Sequence, residues 1–311
     1  MACWTRESPM DERKETKQTI FSRAAKFLKL YSRDRSAIFG LVFLATLILA
    51  ASFAFVLYPV DPEKPELAST LFPPSVVHPL GTDYIGRDQL MLIIYGARPS
   101  LIIAFAAGAI LSLLGTLTGL AAGYFGGKVD GAIMRTADIF LTIPTLPLVL
   151  LVVAVLGPNL INVMLVIGLT GWPVMTRIVR SDTLSLMKRD FIEIERVMGA
   201  GIRRILFKHL LPNQLNSILV YTSLSIPVVI LTEAGLEFLG LAPISVSWGF
   251  MLNTSISYWI IGAWWLSFFP GLAIFSTALA FYFVSEGLKA ALNPKQRRRQ
   301  ESLVVQLAER K

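Results

Sequence analysis

The sequence predicts an all-α polytopic membrane protein with six transmembrane helices and both termini cytoplasmic. Three observations predict it. The 311 residues are 54% hydrophobic and only 16% charged, with a mean hydropathy of +0.61, and a soluble domain of this length carries more charge. Apolar runs long enough to cross a hydrocarbon layer of roughly 30 Å recur along the chain, and helix is the spanning form because lipid offers free backbone groups no partner. The basic residues are strongly one-sided: nine Lys and Arg in residues 1–35, two near 125–135, eight in 177–212 and seven after 285, against Lys64, Arg87 and Arg98 alone on the opposite side. Positive residues accumulate on the cytoplasmic side, which sets the orientation.

The elements follow in order. Residues 1–35 form a basic cytoplasmic segment. Within 17–35, Ile20, Phe21, Ala24, Phe27, Leu28 and Tyr31 recur at helical spacing against Arg23, Lys26 and Lys29, the pattern of an amphipathic helix lying on anionic lipid, with a solvated helix as the alternative. Residues 36–58 are the first span. That stretch is too long for the apolar core of a signal peptide and follows a long charged segment, so it reads as an uncleaved anchor. Residues 59–98 are an external loop whose six prolines argue against regular structure. A five-helix core over 99–289 follows, with spans at about 99–124, 131–156, 160–177, 213–241 and 266–288. Gly126-Gly127-Lys128 and Pro158-Asn159 mark the turns on either side of the third span. A second external segment near 244–265 holds Trp248, Trp259, Trp264 and Trp265. The default reading is an aromatic belt at the membrane boundary, and the sharper one is a lining for a substrate mouth. Residues 290–311 are a basic cytoplasmic tail.

Much chemistry is excluded. The net charge of +8 flanks apolar spans and so serves orientation, not nucleic-acid binding. With Cys3 the sole cysteine and His78 and His209 far apart, no disulfide or convergent metal site is expected. The string Ala122-Gly-Tyr-Phe-Gly-Gly-Lys128-Val129 lacks the first glycine and the Ser/Thr of a nucleotide-binding loop. No catalytic triad or paired-carboxylate site is evident, so the chain is expected to be no enzyme and to bind no cofactor. Three acids do stand in apolar spans, Asp138, Glu233 and Glu237, and intramembrane charge points to function because its burial is costly. Glu233 and Glu237 share a helix face. They either line a pore, contacting a substrate amine or a partner subunit, or sit hydrated near the external interface.

The most patterned segment between spans is 178–212. Asp190 with Glu193 reads as a capping box. Phe191, Ile194 and Met198 then fall on one helix face, with Glu195 and Arg196 off it. Gly199-Ala200-Gly201 ends the helix. A second short helix aligns Ile202, Ile205, Leu206 and Leu210 around Arg203, and Leu211-Pro212 opens the next span. The pattern reads either as a two-part helix held out in the cytoplasm, with small residues at the bend that let another protein approach, or as a simple connecting loop.

The string from Glu193 to Gly199-Ala200, followed by Leu210-Leu211-Pro212-Asn213, resembles the coupling motif of ABC importer permeases: Glu-Ala-Ala, three residues, Gly, about nine residues, then a hydrophobic residue and Leu-Pro. Ile194-Glu195 departs from its Ala-Ala. The resemblance spans roughly 36–295 and narrows to the dipeptide/oligopeptide/nickel subfamily. His78-Pro-Leu-Gly-Thr-Asp83, Tyr95-Gly-Ala-Arg98-Pro, Gly171-Trp-Pro173, Phe238-Leu-Gly-Leu241, Ser247-Trp-Gly249 and Gly287-Leu-Lys-Ala-Ala-Leu-Asn-Pro294 carry it, in order. The basic start and single first span resemble the permease type called C.

The resemblance implies a multi-pass protein of a prokaryotic plasma membrane, forming half of a pore with a second homologous permease. It implies two ATP-binding subunits that hydrolyse ATP with Mg2+, and an external binding protein that delivers the substrate. Asp190, Phe191, Glu193, Ile194, Glu195, Arg196, Met198, Gly199, Ala200, Arg203, Leu211 and Pro212 would form the ATPase-coupling surface. Di- or oligopeptides are the expected cargo, with oligosaccharides or nickel as alternatives. An ion-coupled secondary transporter is the competing class, and it would need coupling-ion ligands and paired interrupted spans.

Overall fold

The computed structural model describes residues 34–292 other than 60, 63, 242, 244 and 245, together with 28 and 30–32. The expected amphipathic helix over 17–35 falls almost wholly outside the described residues, as does the tail beyond 292. Among the described residues the regular structure is helical: α1 (Arg35–Ser52), α2 (Gln89–Phe125), α3 (Gly127–Thr142), α4 (Thr145–Leu156), α5 (Leu160–Met187), α6 (Asp190–Val197), α7 (Leu211–Phe238), α8 (Trp248–Ser255) and α9 (Trp265–Leu292). Four one-turn helices and a π-helical turn join them.

Among the described residues, five helices are long and apolar enough to cross a membrane: α1, α2, α5, α9 and the continuous run Ile202–Phe238 that contains α7. The expected straight span over 131–156 is instead the pair α3 and α4, which meet at 89° and make a sixth crossing only if taken together. Pro144 is the cause. Its ring disfavours helix at the preceding residue, and Ile143 is extended, at φ −93° and ψ 126°.

Other boundaries move for local reasons. Asp88 caps α2 by accepting a hydrogen bond from the Met91 N–H, so the second span starts ten residues earlier than its apolar run and carries Pro99 inside it. α5 continues past 177 to Met187 and places Arg177 and Arg180 on a membrane helix. Pro212 does not open a new span, because the backbone runs helically through it from Ile202. A π-helical turn, Ile205–Leu210, precedes it, and such turns shift the side-chain register within a helix.

The helices pack through small residues, as expected where lipid removes any hydrophobic drive between them. Gly115, Gly119 and Gly123 recur every four residues on α2 and let α5 lie against its backbone. A Cβ on Gly119 would stand 2.7 Å from the Thr176 carbonyl oxygen, and one on Gly123 would stand 2.6 Å from the Thr183 Cβ. α1 meets α9 in the same way: a Cβ on Gly40 would come within 2.6 Å of the Ala280 carbonyl.

The proline-rich stretch before α2 is more ordered than its composition suggests. Arg87 pairs with Asp83 through Nε and Nη2, both at 2.7 Å, and the pair is buried. Thr82 bridges to Asp88 across an isolated β-type pairing. Two of the four tryptophans expected in an aromatic belt are spent on this packing. Trp265 donates from Nε1 to the Thr82 carbonyl at 3.0 Å, and the fully buried Trp248 donates to the Ile93 carbonyl at 2.9 Å. Trp259 and Trp264 remain exposed. Arg87→Met is expected to destabilise the protein by about 3–5 kcal/mol, since it leaves the Asp83 carboxylate buried without its cation. A melting temperature in detergent equal to that of the parent would refute this.

Candidate functional site

The segment between α5 and α7 has two faces. Ile192 is fully buried against Leu120, Met175, Val179, Ile205, Leu210 and Ile218, which come from α2, α5, the π-helical turn and α7. Phe191 and Ala200 pack at the edge of that cluster. Beneath it, the buried Gln214 donates from Nε2 to Thr183 Oγ1 at 3.0 Å, tying α7 to α5. The segment is therefore mounted rigidly on three membrane helices.

The opposite face of α6 is open. Ile194, Val197 and Met198 are 58%, 84% and 73% exposed, and the i, i+3, i+4 spacing aligns them into one apolar stripe. Sequence spacing grouped Phe191 with Ile194 and Met198, but Phe191 turns inward to the bundle and Val197 takes its place. Asp190 is the first helical residue instead of the cap, and neither it nor Arg189 makes a side-chain capping bond. Its carboxylate and that of Glu193 lie in the first turn, where they favour the helix dipole. Gly199 ends the helix at φ +78°, a conformation that favours glycine, with open space around its Cα.

The two residues that depart from Ala-Ala have opposite fates. Ile194 joins the exposed stripe. Glu195 turns back into the segment, 3.2 Å from Arg204 Nε and 3.3 Å from His209 Nε2. Arg196 lies over the Tyr124 ring at 5.9 Å. Arg203 and Pro212 are exposed, and Leu211 is half-buried.

The three intramembrane acids occupy different environments. Glu233 and Glu237 are both buried, which removes the hydrated-interface reading. Glu233 Oε1 accepts from Ser100 Oγ at 2.9 Å, and Glu237 Oε2 accepts from the Gly249 N–H at 3.2 Å. α8 reaches Glu237 because Gly249 has no side chain: a Cβ there would lie 2.7 Å from the Ala234 carbonyl. Asp138 is half-exposed and bonds Arg177 Nη2 at 2.5 Å, joining α3 to α5.

A cavity of ≈ 230 Å3 lies between α2, the α3–α4 bend, α5 and α7. Glu233, Glu237 and Asp138 do not line it. Among the described residues, no group of three or more His, Cys, Asp or Glu is placed to hold a metal ion.

Reading by spacing missed Arg177, Arg180 and Asp130. Arg180 grips Asp130 through Nε and Nη2. The available signal was charge of both signs at the ends of two consecutive apolar runs, which called for pairing.

The family described as "Binding-protein-dependent transport system inner membrane component" matches residues 115–298. The "N-terminal TM domain of oligopeptide transport permease C" matches 22–74. The di/tripeptide transport system permease protein DppC of Pseudomonas aeruginosa is 37% identical over 278 residues, covering 87% of this chain and 91% of its own. The dipeptide permease DppC of Alkalihalophilus pseudofirmus is 38% identical over 293 residues, covering 93% and 95%. The oligopeptide permease OppC of Bacillus subtilis is 37% identical over 271 residues, covering 86% and 88%. A solved chain of the MetNI methionine ABC transporter in an inward-facing conformation aligns with a TM-score of 0.44 at 19% identity, covering 60% of this chain and 96% of its own.

Proposed function

The chain belongs to the family of binding-protein-dependent transport system inner membrane components, and from that premise we propose that it is a peptide permease forming half of the pore of an ATP-driven importer. A second homologous permease completes the pore. An external binding protein delivers di- or oligopeptides, and two partner subunits hydrolyse ATP with Mg2+. Relatives over nearly the full length are named for dipeptide, di/tripeptide and oligopeptide transport, which supports the cargo. The one-sided Lys and Arg distribution supports placing both termini and the 178–212 segment in the cytoplasm.

The observation that carries the coupling role is the two-faced α6. Its exposed stripe of Ile194, Val197 and Met198 is apolar surface left uncovered by the described residues, and its buried Ile192 is embedded among α2, α5 and α7. A partner that seats the stripe and then moves carries Ile192 with it, and through Ile192 the three helices. That is a two-state element biased by a ligand bound elsewhere.

The test is purification of the tagged chain from its host membrane, followed by reconstitution. The expected result is a complex with a second permease and two ATP-binding subunits, which takes up labelled dipeptide only with Mg-ATP and the binding protein. A complex without an ATP-binding subunit, or uptake that persists without ATP, defeats the reading.

A further inference from the structure

Two Asp–Arg pairs join α3 to α5, and they differ in kind. Asp130 and Arg180 are held in a forked contact, both oxygens engaged, and are mostly shielded. Asp138 and Arg177 are more than half exposed, at 51% and 53%, and share only the contact between Oδ1 and Nη2. Arg177 Nε and Nη1 and Asp138 Oδ2 have no other partner among the described residues. The first pair is built as a fastening. The second leaves hydrogen-bonding capacity of both signs facing outward.

The position of the second pair is also distinctive. Leu141 lies three residues after Asp138 on α3, and Val174 lies three before Arg177 on α5. Both line the ≈ 230 Å3 cavity. Residues three apart on a helix are neighbours on one face, so the ion pair forms a lip one turn from the cavity wall. Thr145, Thr170, Tyr221 and Ser225 add hydroxyls to a mostly apolar lining. An enclosed cavity of about 150 Å3 holds a benzene-sized molecule, so this one suits a small organic solute. Mixed lining of this type suits side chains of varied character. The lip supplies the charge that the cavity lacks.

We propose that Asp138 and Arg177 form a recognition pair for the free termini of a zwitterionic peptide at the lip of this cavity. The proposal rests on the peptide-permease reading above and names the pore residues that meet the cargo. The pair opens at little cost because a half-exposed ion pair contributes little to stability. Arg177 then takes the peptide carboxylate in the forked geometry that guanidinium favours, and Asp138 takes the ammonium. The count of ion pairs rises by one and the net charge at the lip stays zero, so a zwitterion is favoured over a solute carrying a single charge.

The experiment uses the complete transporter in proteoliposomes with its binding protein and radiolabelled alanyl-phenylalanine. Asp138→Asn combined with Arg177→Gln removes both charges at near-constant shape. The expected result is an at least tenfold fall in peptide delivered per ATP hydrolysed. A purely structural pair changes stability but not this ratio, so a ratio within twofold of the parent overturns the proposal. If the doubly neutral variant fails to assemble, Arg177→Lys carries the test. It keeps the charge and loses the fork, and a threefold or larger rise in the KM for the dipeptide is expected. An unchanged KM overturns the proposal. A parent transporter that moves neither alanyl-phenylalanine nor a longer peptide defeats the peptide reading itself.

Discussion

Val197→Asp is expected to reduce ATP-driven uptake at least a hundredfold while the membrane bundle stays folded. Val197 is 84% exposed in the isolated chain, so a carboxylate there is solvated and costs the fold almost nothing. The cost arises only on docking. An apolar stripe of Ile194, Val197 and Met198 that seats against a partner buries the new charge without a counter-ion, and burying an unpaired polar or charged group costs several kcal/mol. Roughly 3 kcal/mol already weakens an association about a hundredfold. Val197→Ala should lose far less, since it removes apolar area without adding a charge. The measurement is recovery of the ATP-binding subunits with the tagged chain, alongside uptake and thermal melting. Parent-like recovery and uptake in Val197→Asp would show that this face is not the docking surface.

The other large effect is expected at the contact between α2 and α5. Gly119→Leu should cost about 3 kcal/mol or more, the upper end for forcing bulk into a packed core. A Cβ at that position meets the Thr176 carbonyl oxygen and the Val179 Cβ, each at 2.7 Å. Neither can retreat as a flexible side-chain tip would, so the two helices must separate. Because α5 also carries Met175 and Val179, which pack on Ile192, the wedge should loosen the coupling segment as well. Gly131→Ala on α3 is the matched control. Nothing lies within 4 Å of its added Cβ, and alanine is the better helix former, so a neutral or slightly stabilising result is expected. Detergent-solubilised Gly119→Leu that melts with the parent would sink the account of this interface.

Some of this was legible from residues alone. The apolar runs marked the membrane helices to within about ten residues, because a helix that crosses lipid must be predominantly apolar over about 20 residues. The charge split and the string from Glu193 to Pro212 located the segment between α5 and α7. The same string also hid which residues of that segment face inward. Ile192, Ile194 and Val197 are all β-branched aliphatics, and spacing alone did not separate the buried one from the two exposed ones.

Membrane helices sharpen this difficulty. Their lipid-facing and protein-facing sides are both apolar, so periodicity carries little about orientation. Thus the sequence by itself determined the number and placement of the apolar runs, the uneven distribution of the basic residues along the chain, and the glycine turn at Gly199. Only the tertiary structure decided that α3 and α4 bend by 89° at Pro144, and that Glu233 is buried against α2 and Glu237 under α8. It likewise decided that Asp138 meets Arg177 and Asp130 meets Arg180, across 39 and 50 residues of chain. Those outcomes depend on which helices become neighbours. That choice is made by the close approach that Gly115, Gly119 and Gly123 allow, a property of two surfaces together and not of either sequence segment alone.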